Sequence, residues 1–481
     1  MSPTISAPRL ARLVGDFDRS PAYAGLAAAL HRLISEGRLP HGTRLPSERE
    51  LTGPLALSRT TVTRAYAELR ERGYAEARRG SGTFTRVPGG PRRAPDRILT
   101  PRVPDGVDMI DLNCAAAPAP PGVATAYAAA VADLPGYLSD HGYYPMGLPE
   151  LQAAIAATYD ARGLPTEPEQ VMVTPGALAA TAIVAQACTA PGDRILVEVP
   201  GYPNAARALA RPGIRIATTT VDDDGWDLPA VATALRRTRP RLAHLVPDFH
   251  NPTGNLMDDE QRAEYAAHVA RTGAVALIDE AHQALTLAGQ AMPLPFAAHV
   301  SRAGGQAITV GGASKTFWGG LRVGWIRAPH HLMDALAAAR LTLDLGVPVL
   351  EQRAVLHLLA DPAPTLADHL ARLREQRDAL VTAIGDQLPT WSFRVPRGGL
   401  GLWCRLPGAG AGAFTASAEA HGVSLAPGSL FAVDGGYDAY VRVPYARPAD
   451  ELREAVRRMA AAWDASPARS VARTSDKVMV A

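Results

Sequence analysis

Between residues 171 and 327, six short apolar runs alternate with Ala- and Leu-rich stretches of helical character: 171–173, 194–199, 242–246, 274–278, 307–310 and 324–327. Runs of this length are too short to form helices of their own and suit strands covered on both faces. Alternation with helices then gives βαβ units and a mostly parallel sheet, an α/β fold class. In open sheets of this kind ligands collect beyond the carboxyl ends of the strands. The residues there are chemical ones: Thr174-Pro175-Gly176-Ala177-Leu178, Tyr202, His250-Asn251-Pro252-Thr253-Gly254, Asp279-Glu280-Ala281-His282 and Ser314-Lys315. Gly176, Ala177 and Leu178 open a helix running to about Cys188, and its unpaired N–H groups suit a phosphate.

Of the 49 basic residues only two are lysines, Lys315 and Lys477. Where positive charge was enough, the chain uses arginine. A lysine in mid-chain then points to work a guanidinium cannot do, because a buried amine can lose its proton and an arginine effectively cannot. The amine chemistry that fits is a Schiff base with an aldehyde, usually that of pyridoxal 5'-phosphate (PLP). Ser314 and Arg322 stand near enough in sequence to hold a phosphate beside it.

Residues 16–86 form a separate unit with 12 arginines against 8 acidic residues, although the whole chain carries only +2. Nucleic-acid contact is therefore expected at this end. Tyr23, Leu26, Leu30, Leu33 and Ile34 share one helical face, which stops at Gly37 and a turn through Pro40. Ser47 with Glu50 predicts a capping box opening a second helix, interrupted near Pro54. Ser58 caps a third over 59–72, which turns Val62, Ala65, Tyr66 and Leu69 inward and offers Arg59, Thr60, Thr61, Thr63 and Arg64 outward. A short, basic, hydroxyl-rich second helix suits a major groove. A two-stranded wing follows, with its tip at Arg78-Arg79-Gly80-Ser81-Gly82. Arg70 and Arg72 read as a solvated helix face.

Residues 87–107 are rich in Pro, Gly and Arg without apolar periodicity, and read as a solvated linker. Both ends, 1–15 and 466–481, are expected to fray. Cys114, Cys188 and Cys404 lie far apart and outside any CxxC pair, so they read as buried thiols in a reducing cytoplasm rather than a disulfide or zinc framework. No run reaches membrane-spanning length, and a cytoplasmic chain without membrane contact is expected.

The head resembles the winged helix-turn-helix of GntR-family transcription regulators. Its signature stands as Gly42-Thr43-Arg44-Leu45-Pro46-Ser47-Glu48-Arg49-Glu50-Leu51, then Ser58-Arg59-Thr60-Thr61-Val62, then Gly80-Ser81-Gly82-Thr83-Phe84. The resemblance implies base or phosphate contacts from Arg49, Arg59 and Arg64. It also implies a backbone contact from Arg44, DNA-facing positions at Ser47, Thr60 and Thr61, and wing glycines Gly80 and Gly82 in the minor groove.

The remainder, 108–465, resembles fold-type I PLP enzymes of the aspartate aminotransferase superfamily, with a large and a small subdomain. The order Tyr202, Asn251-Pro252-Thr253-Gly254, Asp279, Ser314-Lys315 and Arg322 is theirs, as are Gly398-Gly399, Trp403, Pro427-Gly428, Phe431 and Tyr440-Val441-Arg442-Val443. The resemblance implies that Lys315 carries the cofactor and that Asp279 faces its ring nitrogen. Asn251 would donate to the ring oxygen, Tyr202 would stack on the ring, and Gly176, Ala177, Ser314 and Arg322 would take the phosphate. It further implies that Tyr143 reaches the neighbouring subunit's phosphate and that Arg442 grips a ligand carboxylate. The chain departs from the pattern at His282, where a tyrosine is usual, and at Ala177 and Gly312, where hydroxyl residues are usual.

A GntR head on an aminotransferase-like body resembles the MocR subfamily of regulators. That resemblance implies a head-to-tail homodimer that binds operator DNA and senses a small amino compound, or PLP itself, by aldimine exchange. A working aminotransferase that also binds DNA is the alternative; a cofactor-free dimerisation scaffold is a third reading.

Overall fold

In the head, local chemistry sets each boundary. Ser47 accepts the Glu50 N–H while Glu50 accepts the Ser47 N–H, so the expected capping box opens the helix Glu48–Leu55. Ala56 ends it in the left-handed region, two residues after Pro54. Ser58 accepts the Thr61 N–H and opens Arg59–Glu71. Val62, Ala65, Tyr66 and Leu69 of that helix pack against Leu26, Leu30, Leu33 and Ile34 of Ala22–Ser35. The buried Tyr66 hydroxyl is satisfied by the Pro46 carbonyl at 2.8 Å. The wing pairs Ala75–Arg78 antiparallel with Gly82–Thr85, and residues 42–45 bond alongside through Thr43, Leu45, Thr83 and Thr85.

The computed structural model describes residues 4–35, 39, 41–78, 80–86, 88, 109–408, 410–433 and 435–466. The expected helix stop at Gly37, the Pro40 turn, Arg79, the linker apart from Pro88, Lys477 and the C-terminal end from 467 lie outside them. The N-terminal end corrects the expectation of fraying. Ala7–Val14 is a helix with Pro8 in its first turn, and Leu10 and Val14, four residues apart on one face, are sealed into the head's core. Burying each such side chain stabilises by about 1.5–3 kcal/mol, enough to hold two helical turns that propensity alone would not.

The described residues divide into two compact units, one of 4–88 with 118–125 and the other of 109–117 with 126–466. The second unit carries an eight-stranded sheet in the order Val171–Thr174, Gly324–Arg327, Gln306–Gly312, Val275–Asp279, Leu242–Leu245, Arg194–Val199, Arg215–Asp222, Gly225–Trp226. All six apolar runs are strands, and the four consecutive pairings from Gln306–Gly312 to Arg215–Asp222 are parallel. Gly324–Arg327 runs antiparallel to both neighbours. It follows Gln306–Gly312 after only two short helical turns, Ala313–Thr316 and Gly319–Leu321, too little chain for a crossover. Arg215–Asp222 went unread in the sequence because, half-buried near the sheet edge, it is threonine-rich and lacks a continuous apolar run.

A smaller antiparallel sheet joins Gly401–Arg405, Tyr440–Pro444 and Ala426–Pro427. Its core gathers Leu402, Cys404, Val441 and Val443 with residues of Pro362–Gln387 and Ala449–Ala465. Trp391, Phe414 and Trp463 meet edge to face within it. No described helix is long and apolar enough to cross a membrane.

Candidate functional site

Register brings the reacting groups level. Val310 pairs with Asp279, so the strand carrying Asp279 ends beside the one that leads into Lys315. The Lys315 Nζ donates to the Ala115 carbonyl at 2.8 Å. Arg442, paired across its sheet with Trp403 and Ala426, sends its guanidinium to the Asn113 carbonyl and, at 3.4 Å, to Asn251 Oδ1. Its Nε has no partner, and the Phe431 ring lies 4.9 Å away. Ala115, Asn251, His282 and Arg442 line one cleft. The segment 113–115 is therefore part of the site. Sequence reasoning missed it because a backbone carbonyl leaves no mark in the side-chain pattern. Cys114, between those carbonyls, is exposed rather than buried as expected.

Burial lowers the Lys315 pKa, helped by the Arg442 and Arg322 charges and opposed by Cys114 and Asp279. A larger fraction of the amine is thus free base, the form that attacks an aldehyde. Burial pushes Asp279 up to about 6 against the pull of the Ala281 N–H, which it accepts at 2.9 Å, and of Lys315. At neutral pH it remains an anion.

An anion cradle lies at the start of Ala177–Cys188. Gly176 caps that helix at φ +93°, and a Cβ there would come 2.7 Å from Arg322 Nη2. Arg322 holds the Pro175 carbonyl at 3.0 Å, with Ser314 Oγ 3.5 Å from its other terminal nitrogen. Gly324 permits the approach from below, since a Cβ there would stand 2.5 Å from the Gly176 carbonyl carbon. The first N–H groups of the helix, including those of Ala177 and Leu178, have no intrahelical acceptor, and the Arg322 guanidinium beside Gly176 is exposed. These groups fit a phosphate. With a primary amine and a carboxylate beside them, they fit PLP as a whole.

His282 Nδ1 donates to the Phe249 carbonyl at 3.0 Å, and burial drives its pKa down to about 4. The ring is neutral, so Nε2 carries a lone pair. Tyr202 caps the helix Pro203–Leu209, and its hydroxyl accepts from Asn204 at 3.0 Å. Tyr143 is 58% exposed and stacked on His141.

A second buried polar cluster went unread in the sequence. Glu198 accepts from Trp226 Nε1 at 2.6 Å and the Val246 N–H at 2.8 Å, with His250 Nε2 3.6 Å away. His250 reaches Thr253 Oγ1 at 3.0 Å through its other nitrogen. Its members are scattered among sheet residues and reveal themselves only when the strands align.

On the head, Arg44, Arg49, Arg59, Thr60 and Arg64 are exposed, as are Ser47, Gly80 and Gly82, while Thr61 is half-buried. The guanidinium groups of Arg44, Arg49 and Arg59 have no hydrogen-bond or ion-pair partner among the described residues. Arg64 lies over the Tyr23 ring at 3.8 Å. Thr61 and Ser58 share a hydroxyl bond at 2.8 Å. Arg72 pairs with Glu68, as a solvated face would.

The fold and site together define a PLP-dependent, aminotransferase-like body in a chain that also carries a winged DNA-binding head. Residues 129–459 match the family described as aminotransferase class I and II, and residues 22–85 match bacterial regulatory proteins of the gntR family. The chain is 31% identical to a 2-aminoadipate transaminase of Thermus thermophilus, over 67% of this chain and 80% of that one. It is 30% identical to the HTH-type pyridoxine biosynthesis transcriptional regulator PdxR of Corynebacterium glutamicum, over 78% of this chain and 81% of the relative. The crystal structure of LysN, an alpha-aminoadipate aminotransferase from Thermus thermophilus complexed with N-(5'-phosphopyridoxyl)-L-leucine, superposes with a TM-score of 0.68 at 28% identity, covering 74% of this chain and 92% of that one. The chain belongs to the aminotransferase class I and II family and, through its head, to the GntR regulators of MocR and PdxR type. Its cofactor is PLP.

Proposed function

We propose that the body, about residues 108–465, senses a small amino compound or PLP itself and adjusts operator binding by the head, about 16–86, across the linker 87–107. PLP when bound supplies an aldehyde that captures primary amines and an electron-withdrawing ring. In this reading Lys315 anchors it, Asp279 faces the ring nitrogen and keeps it protonated, and Tyr202 covers the ring. Gly176, the N–H groups of Ala177 and Leu178, Ser314 and Arg322 hold the phosphate. Tyr143 extends to a second copy's phosphate in a head-to-tail homodimer in the cytoplasm.

The observation that carries the sensor reading is the tie between both cations and one short segment. Lys315 and Arg442 bond to the carbonyls of Ala115 and Asn113. A ligand carboxylate gripped by Arg442 competes with Asn113 and with Asn251, and a cofactor anchored on Lys315 competes with Ala115. Cofactor and ligand thus act on the two ends of one short segment, the first at Ala115 and the second at Asn113. Contacts that differ between two states are what a ligand needs in order to shift an equilibrium.

Three departures from the enzymes support sensing over turnover. His282 presents an acceptor where they place a donor. Ala177 and Gly312 bring no hydroxyl to the phosphate, and each missing bond to a charged group is worth about 1.5–3 kcal/mol. None of these removes the covalent anchor. The name of the Corynebacterium relative, a regulator of pyridoxine biosynthesis, supports PLP as one effector.

The test uses full-length, PLP-loaded protein and a panel of amines, with the visible spectrum and DNA affinity followed together. Both should change with the same amine. Sustained keto-acid production with DNA binding indifferent to every amine would establish the aminotransferase instead.

A further inference from the structure

A second cavity, of ≈ 330 Å³, opens between the helix Pro203–Leu209 and residues 429–433. Two of the residues lining it, His244 and His250, are 6% and 1% exposed, and the Nε2 atom of each lacks a hydrogen-bond partner. Glu198, also in the lining, does not satisfy them. It accepts from Trp226 and Val246, and at 3.6 Å from His250 Nε2 it lies beyond hydrogen-bond reach of that nitrogen. Buried polar atoms are normally paired, so two on one wall mark a place where a further group is received. The described residues hold no cluster of three or more His, Cys, Asp or Glu able to take a metal ion, so the two imidazoles are not part of one.

The chemistry of the walls narrows the ligand. Burial keeps both imidazoles neutral, with pKa values near 4 for His244 and 3 for His250. A neutral imidazole offers a lone pair on one nitrogen and an N–H on the other, so the pair can both accept from and donate to a hydroxyl. Val197, Ile216, Val246 and Phe431 make apolar sides. At the rim, Leu430 and Val433 are exposed beside the exposed guanidinium of Arg207. We infer that this cavity, which shares Tyr202 and His250 with the walls of the cofactor site, is a second ligand site for a small hydroxyaryl carboxylic acid. The hydroxyl sits against His244 and His250, the ring lies between the apolar walls, and the carboxylate rests on Arg207. The volume is at the small end of the usual ligand-site range and suits one ring with a short arm.

The probe is 4-hydroxyphenylacetate, titrated calorimetrically into full-length, PLP-loaded protein, with phenylacetate as comparator. It has no amine and so cannot engage the cofactor. The expected result is saturable binding below about 1 mM, weakened at least about tenfold by loss of the hydroxyl, by Arg207→Ala and by His244→Phe. Arg442→Ala should leave it unchanged, which separates this site from the cofactor's carboxylate grip. Arg207 is exposed, so its truncation tests the idea even if His244→Phe does not fold. Ala206→Trp, which fills the cavity from the same helix, should also abolish binding. No binding at about 10 mM, equal affinity for phenylacetate, indifference to Arg207→Ala, or loss in Arg442→Ala alone would overturn the inference.

Discussion

The Lys315 Nζ donates to the carbonyl of Ala115 at 2.8 Å, two residues along from the carbonyl of Asn113 that Arg442 holds. One short piece of backbone thereby meets both the amine that would anchor the cofactor and the guanidinium that would grip a ligand carboxylate. A donor cannot serve its old acceptor and a new one equally well, so in the proposed sensor occupation of the site would loosen the hold on 113–115.

Lys315→Ala should abolish the visible absorption of PLP-loaded protein, because Lys477 stands far away in sequence and no other lysine exists. Lys315→Arg should do the same, since a guanidinium supplies no free amine. Absorption spectra after dialysis decide it; colour retained by both variants would place the anchor elsewhere.

Arg442→Ala should blunt the spectral and DNA-binding responses to a carboxylate-bearing amine while basal DNA affinity survives. Linkage also requires that operator DNA alter the ligand's apparent affinity by the factor with which ligand alters the DNA's. Paired titrations, each with and without the other partner, measure both factors. Factors of one in both directions would show that the two sites are not coupled.

Arg49→Ala and Arg59→Ala should each weaken operator binding and leave the PLP spectrum unchanged. A base contact is worth about 1–3 kcal/mol of discrimination, so relaxed sequence preference should accompany lower affinity. Fluorescence anisotropy on operator and scrambled duplexes separates the two effects. A uniform loss on both duplexes would mean phosphate contact only.

Ser47→Ala removes the cap of Glu48–Leu55, whose side chain accepts the Glu50 N–H. Loss of such a cap costs about 0.5–2 kcal/mol. Thermal melting of the head's transition should fall accordingly, whereas Thr60→Ala, at an exposed helix position, should leave it nearly unchanged.

Glu198 supplies a pH test. Burial raises its pKa from 4.5 to about 7, so the native state binds the proton more tightly than the unfolded chain does. Its contribution to stability is then fully present below the unfolded value and is lost as pH rises from about 4.5 to about 7. His244 and His250, lowered from 6.5, act in the opposite sense and lose stability as pH falls. The difference between wild type and Glu198→Gln isolates the carboxyl: the variant should gain stability relative to wild type as pH rises through that window, then run parallel above it. Melting curves from pH 4 to 8 check the sign, and a constant offset throughout would refute it.

Periodicity and punctuation alone determined much of this protein. Ser47, Glu50 and Ser58 set helix starts within the head because a cap is a local bond between residues three apart. The six apolar runs became strands because a short apolar run flanked by helices has few other places to be buried. The scarcity of lysine marked Lys315, and the order of Tyr202, Asn251, Asp279 and Arg322 was a property of the chain before it folded. Tertiary structure decided the rest. The helix Ala7–Val14 exists because Leu10 and Val14 find a core built by distant residues. The threonine-rich strand Arg215–Asp222 gains its ladder from Arg194–Val199, a partner its own composition does not name. Only folding set Lys315 against Ala115, 200 positions away, and placed the unpaired nitrogens of His244 and His250 on one wall. Local bonds are written in neighbouring residues; bonds to distant carbonyls and shared cavity walls depend on where strands end, and that is settled by packing.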